Sequence, residues 1–178
     1  MNPNESLIES HLAYKGKILT LRLNTYQFGK RTKVFEIVHH PGAVVIIPID
    51  AKGRILLVRQ WRHAIQKNLL ELPAGKLENG EDPLFCAQRE LQEETGFRAQ
   101  IMTSLHGFYS TPGFSDEYLS LFLGENLVPS PLPPDEDEQI ELEPLELQQA
   151  LQMIEEGSII DAKSIAGILR FAFRKKRS

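Results

Sequence analysis

The sequence predicts an α+β sandwich, and three observations carry that expectation. Short β-branched and aliphatic runs are separated by turn residues, and amphipathic helices have legible ends. The two kinds of element mix without the regular strand–helix alternation of a doubly wound sheet. The chain has 178 residues, 42% of them hydrophobic, enough to bury one core.

Taken in order, Ile18, Thr20 and Arg22 alternate with Leu19, Leu21 and Leu23, and Val34, Phe35, Ile37 and Val38 resume a strand pattern. Phe28-Gly29-Lys30-Arg31 lies between them as a turn, so an amino-terminal antiparallel hairpin is expected. Residues 43–49 and 55–58 are unbroken apolar runs on either side of Asp50-Ala51-Lys52-Gly53, the pattern of buried strands. A helix follows, with Asp82 as N-cap, Pro83 in its first turn and Gly96 after its end. Its expected buried face is Leu84, Ala87 and Leu91. Residues 101–109 and 118–123 read as strands, and residues 129–144, with five prolines and an acidic cluster, as a loop. Leu147, Leu151 and Ile154 form a helical stripe ended by Gly157; Ile165, Ile168, Leu169 and Phe173 form another.

A net charge of −4 argues against a general nucleic-acid binder, and the basic run Arg174-Lys175-Lys176-Arg177 is read as a solvated chain end. The single Cys86 excludes an intrachain disulfide and a cysteine-based zinc site, and reads as a packing residue. No run is apolar enough for a signal peptide or membrane span, so a cytoplasmic protein without membrane partners is expected.

The chemistry concentrates between Gly75 and Phe97. Glu90, Glu93 and Glu94 stand at i, i+3 and i+4, within a sector of about 100° on a helix. Like charges so placed repel, and a divalent cation reverses the sign because hard cations take several carboxylate oxygens. Arg89 stands beside them to pair with a neighbouring carboxylate. Gly75 and Gly80 lie in the preceding loop, where the backbone must turn sharply and approach a ligand. The bland alternative is a solvated acidic face, and the flanking glycines in register weigh against it.

This segment resembles the Nudix box: Gly75, five residues, Glu81, seven residues, Arg89-Glu90-Leu91, then Glu93-Glu94, Gly96 and an apolar Phe97. The resemblance implies an α/β/α sandwich with a mixed sheet over residues 41–178, preceded by a strand region over residues 1–40 that dimerises. His40-Pro41-Gly42-Ala43-Val44, Gln60-Trp61-Arg62, Glu71-Leu72-Pro73-Ala74-Gly75 and residues 110–117 are similar to the ADP-ribose pyrophosphatase branch. The resemblance implies hydrolysis of a nucleoside diphosphate sugar, ADP-ribose foremost, with two or three Mg²⁺ ions (Mn²⁺ the alternative). GDP-mannose or a broader nucleotide-sugar range is the runner-up. A triphosphate-cleaning enzyme fits less well, and a non-catalytic nucleotide-sugar sensor would be expected to have lost box carboxylates.

Residue by residue, the resemblance implies metal ligation by the carbonyl of Ala74 and by Glu90, Glu94 and Glu138. Glu136 is the implied general base, with Glu93 and Arg89 as catalytic supports; Glu141 is the alternative in that acidic loop. For the substrate it implies Arg62 on the diphosphate, Glu36 at the terminal ribose, and Pro112 with Gly113 in a specificity loop. Pro112 stands sixteen residues after Gly96. Trp61 offers a stacking face for a base, against a default of core packing. Arg62 has a surface salt bridge as its bland alternative, and His39 and His40 read as structural because Mg²⁺ prefers oxygen.

Overall fold

The computed structural model describes residues 5–133 and 140–177. The chain forms two compact units, one of residues 1–42 with Tyr109–Tyr118, the other of Ala43–Phe108 with residues 119–178.

The first unit holds strands β1 (Glu5–Lys15), β2 (Thr20–Phe28) and β3 (Arg31–His39) in one antiparallel sheet, order β1-β2-β3. The expected hairpin is β2–β3, closed between Phe28 and Arg31 with Gly29 at φ 58. Strand β1 escaped the sequence reading. Its side chains beyond Glu5 are all exposed, so no burial alternation marks it, and its pairing with β2 is interrupted by two register shifts. Phe35 packs edge-on to Tyr26 at 5.6 Å and carries Lys33 over its ring at 4.6 Å. Leu7, Ile8, Leu12, Tyr14 and Val34 remain largely exposed on this sheet.

The second unit is built around β4 (Ala43–Pro48), whose six residues are all buried. It lies parallel to β9 (Tyr118–Pro129) and antiparallel to β7 (Ala74–Lys76), in a mixed sheet of order β7-β4-β9-β8, where β8 is Phe97–Tyr109. A continuous apolar run is what a strand covered on both faces requires. Val44, Ile46 and Phe122 pack with Cys86, Ala87 and Leu91 of α1 (Pro83–Thr95). Val45, Ile47, Leu121 and Leu123 pack on the opposite side with Ile168 and Phe171 of α3 (Ala162–Lys175) and Ala150 of α2 (Leu147–Glu155). The period-two alternation of a strand thus serves two helical layers. Gly167 lets α3 approach closely, since a Cβ there would stand 2.5 Å from Leu72. A second, antiparallel sheet, β10-β5-β6, joins β5 (Ile55–Arg62), β6 (Lys67–Glu71) and β10 (Ile140–Leu145).

Three expectations need correction. Residues 140–144, read as loop, belong to a strand that pairs with β5 from Ile140↔Gln60 to Leu145↔Ile55, because backbone pairing there outweighs the proline-rich composition around it. Leu84 is 42% exposed; the buried face of α1 keeps the expected Ala87 and Leu91 and is completed by Cys86, Glu94 and Thr95. On α3, Leu169 and Phe173 face solvent, and the buried side is Ser164, Gly167, Ile168, Phe171 and Ala172.

Candidate active site

Helix α1 begins as its sequence dictates. Asp82 accepts the Leu84 N–H at 2.8 Å, Pro83 occupies the first turn, and Gly96 ends the helix at φ 76 with its N–H on the Gln92 carbonyl. Burial of Ala87 and of Leu91, which alone contributes about 2 kcal/mol, fixes the rotation of the helix. That rotation sends Arg89, Glu90 and Glu93 to a partly exposed face, while Glu94 is only 8% exposed.

Arg89 is the hub of this face. Its Nε and Nη2 form a fork on Glu81, both at 3.0 Å, and its Nη1 donates to Glu90 at 2.8 Å and Glu93 at 2.9 Å. The fork holds the Glu81 carboxyl down at about 2, and the surrounding carboxylates, Glu81 first, raise Arg89 above its ordinary range. Cys86 is buried at 3.3 Å from Arg89 Nη2, and burial pushes its thiol up to about 12. Strand β7 closes against the same face. The Ala74 N–H donates to Glu94 at 3.1 Å, and a Cβ on residue 75 would fall 1.8 Å from the Glu90 carboxyl carbon. Glycine at 75 therefore serves the close approach of Glu90. The turn geometry belongs to Gly80, at φ 79.

A second ionic group lies on β5, β6 and α3. Glu71 is 1% exposed and receives the Nε and Nη2 of Arg62 at 2.7 and 2.6 Å, with Lys163 on the same carboxylate. Lys163 also donates to Asp161 at 2.8 Å, and Asp161 caps α3 through the Ser164 N–H. Burial alone would raise the Glu71 carboxyl; the Arg62 hydrogen bonds and Lys163 outweigh it and hold it lowered. Arg62 thus adopts the salt-bridge geometry, with Nη1 outside the fork. Beside it Trp61 is 44% exposed and edge-on to His63, so the default of core packing does not hold.

In the first unit, Glu36 is exposed on β3 opposite Leu23, and Pro112 and Gly113 are exposed in a turn closed by Ser115 N–H on the Thr111 carbonyl. Asp116 bridges this turn to the end of β3, accepting the His40 N–H at 2.9 Å and contacting His39 Nδ1 at 2.6 Å. Burial opposes the ionised form of Asp116, and these partners outweigh it to lower its pKa. Glu136 and Glu138 lie outside the described residues. Glu141 is described: it is exposed on β10, opposite Arg59.

The structure therefore brings Ala74, Gly75, Glu81, Arg89, Glu90, Glu93 and Glu94 together. Glu81 stood in the motif but was given no role, although its spacing to Arg89 was legible. Glu71, Asp161 and Lys163 were missed, since nothing local links residues 92 positions apart. Among the described residues no three acidic, histidine or cysteine side chains are closed around one point, because Arg89 draws Glu90 and Glu93 to itself. The donor set, carboxylate oxygens beside a main-chain segment, fits the chemistry of a hard divalent cation.

A model described as NUDIX domain matches residues 38–167. An ADP-ribose pyrophosphatase of Bacillus subtilis is 39% identical over 92% of this chain and 90% of its own length. A methanol dehydrogenase activator of Bacillus methanolicus is 38% identical over 92% and 90%. A GDP-mannose pyrophosphatase of Salmonella paratyphi B is 33% identical over 85% and 89%. A solved structure described as an ADP compounds hydrolase shares the fold with a TM-score of 0.87 at 21% identity, covering 97% of this chain and 95% of its own. With the box residues gathered on one helix face and the family model spanning most of the sequence, the chain belongs to the Nudix family and is a Nudix hydrolase.

Proposed function

We propose that the chain hydrolyses the diphosphate bond of a nucleoside diphosphate sugar, with ADP-ribose, giving AMP and ribose 5-phosphate, as the favoured substrate. The observation that carries this reading is the α1 face, where three carboxylates share one guanidinium and leave a net −2 beside β7. Such an excess suits a divalent cation, itself paired with the anionic diphosphate. Mg²⁺, two or three ions with Mn²⁺ as the alternative, would be held by the Ala74 carbonyl, Glu90, Glu94 and Glu138. Bound there, it would neutralise diphosphate charge and lower the pKa of water.

The chain's own residues supply the rest. Arg89 holds Glu90 and Glu93 in position and Glu81 holds Arg89. Glu136 takes the proton of the attacking water as one P–O bond of the diphosphate forms and the bridging P–O bond breaks. Arg62 offers Nη1 to the diphosphate while Glu71 keeps the other edge of its guanidinium. Trp61 offers its exposed ring to the base, and Glu36, Pro112 and Gly113 are the residues that the family resemblance assigns to the sugar end. The strand region, residues 1–40, is a homodimer contact, supported by the exposed Leu7, Ile8, Leu12 and Tyr14 of β1, with residues 41–178 the hydrolase domain. The protein acts in the cytoplasm, and no helix among the described residues is long and apolar enough to cross a membrane.

GDP-mannose is the second reading, favoured by relatives of that name at 33% identity. Initial rates with ADP-ribose, GDP-mannose, ADP-glucose and NADH in Mg²⁺ separate the readings. The highest kcat/KM is expected for ADP-ribose. A preference for GDP-mannose moves the assignment to the second reading, and a preference for NADH overturns both.

A further inference from the structure

The basic run near residue 177 is exposed, and α3 orders its arginines along one face. Arg170, Phe173, Arg174 and Arg177 recur at i, i+3, i+4 and i+7 along one face that continues past the end of α3. The opposite face is fixed in the core by Ile168, Phe171 and Ala172, and Lys175 places its Nζ 5.4 Å from the centroid of the Phe171 ring. Facing the arginines are Ser104, Leu105 and His106 of β8, and together these residues line an open cavity of about 590 Å³. That is the size of a small-molecule site, typically about 300–1,000 Å³.

Several features separate this cavity from an ordinary helix end. Basic side chains in the last turn favour the helix dipole, which accounts for Arg174 and Lys175 but not for Arg170, a turn earlier. Among the described residues no carboxylate pairs with Arg170 or Arg177, and no acidic residue lines the cavity. Phe173 is 66% exposed at its edge and offers a ring face for stacking. His106 holds φ 62, rare for a residue with a Cβ, with its N–H on Ser104 Oγ at 3.3 Å. Guanidinium forks match phosphate oxygens, and an aromatic face accepts a nucleobase. A chain of net charge −4 whose arginines here line an open cavity suits a compact anion better than a polymer.

We propose that this cavity binds a phosphate-bearing small molecule with a planar ring, a nucleoside mono- or diphosphate, its phosphate on Arg170, Arg174 and Arg177 and its base on Phe173. None of these residues belongs to the acidic α1 face, so the site stands independently of the proposed reaction. Calorimetric titration of the full chain in EDTA with AMP, adenosine and inorganic pyrophosphate tests it. AMP should bind and adenosine should not, and Arg170→Gln with Arg174→Gln should weaken AMP about tenfold or more. Phe173→Ala should weaken AMP about fivefold and leave pyrophosphate within about twofold. Arg177→Gln, beyond the helix end, should weaken AMP too, which keeps the test open should the double variant not fold. Unchanged AMP affinity in the folded arginine variants, or adenosine binding as well as AMP, overturns the proposal. A short single-stranded RNA that binds more than about tenfold tighter than AMP, and loses that binding in Arg177→Gln, overturns it in favour of a nucleic-acid site.

Discussion

The molecule carries two ionic groups of the same chemical vocabulary and opposite balance. Around Glu71, two cations, Arg62 and Lys163, meet two carboxylates, and the central one is 1% exposed. Around Arg89, one guanidinium serves Glu81, Glu90 and Glu93, whose side chains are 12–20% exposed. The first group is neutral and ties β5, β6 and α3 together. The second keeps an excess of negative charge in reach of solvent. Balance marks a structural device, and imbalance marks a place where a further cation belongs.

The largest effect expected from breaking this contrast is on stability. Glu71→Ala leaves Arg62 and Lys163 facing an empty position and should lower the unfolding free energy by about 3–5 kcal/mol in urea denaturation. A loss near zero would mean that the group does not hold these elements together. Next, Arg89→Lys keeps the charge but loses the fork that spans three carboxylates. Steady-state kinetics should show kcat/KM reduced about tenfold or more, with a smaller loss of stability than in Glu71→Ala. The smallest effect is a pH dependence. Glu81 titrates at about 2 against an ordinary 4.5, so its ionised form favours the fold above 4.5, and that contribution fades as pH falls through about 2. In metal-free buffer, Glu81→Gln should therefore melt below the wild type at neutral pH, with the gap closing between 4.5 and about 2. A gap that widens on acidification would assign the shift to another group.

The α1 face was legible in the sequence because its determinants are local. Asp82, Pro83 and Gly96 fix the helix ends, and Glu90, Glu93 and Glu94 fall on one side by spacing alone. Strands β4 and β5 were legible for the same reason, as unbroken apolar runs beside Asp50 and Gly53. Strand β10 was hidden because its partner, β5, lies some eighty residues earlier and Pro144 falls within it. The Glu71–Lys163 pair was hidden because only the packing of α3 on the sheet brings the two together. Glycine 75 was legible as a constraint but not in its cause, since the residue that needs the space is Glu90, fifteen positions on.

The central claim is that the α1 carboxylates hold a divalent cation. Electron paramagnetic resonance of free Mn²⁺, titrated into the wild type, Glu90→Gln and Glu94→Gln, reads that binding without turnover. The account predicts saturable uptake by the wild type and a loss of affinity of about tenfold or more in each folded variant. Equal Mn²⁺ uptake by all three proteins would contradict it.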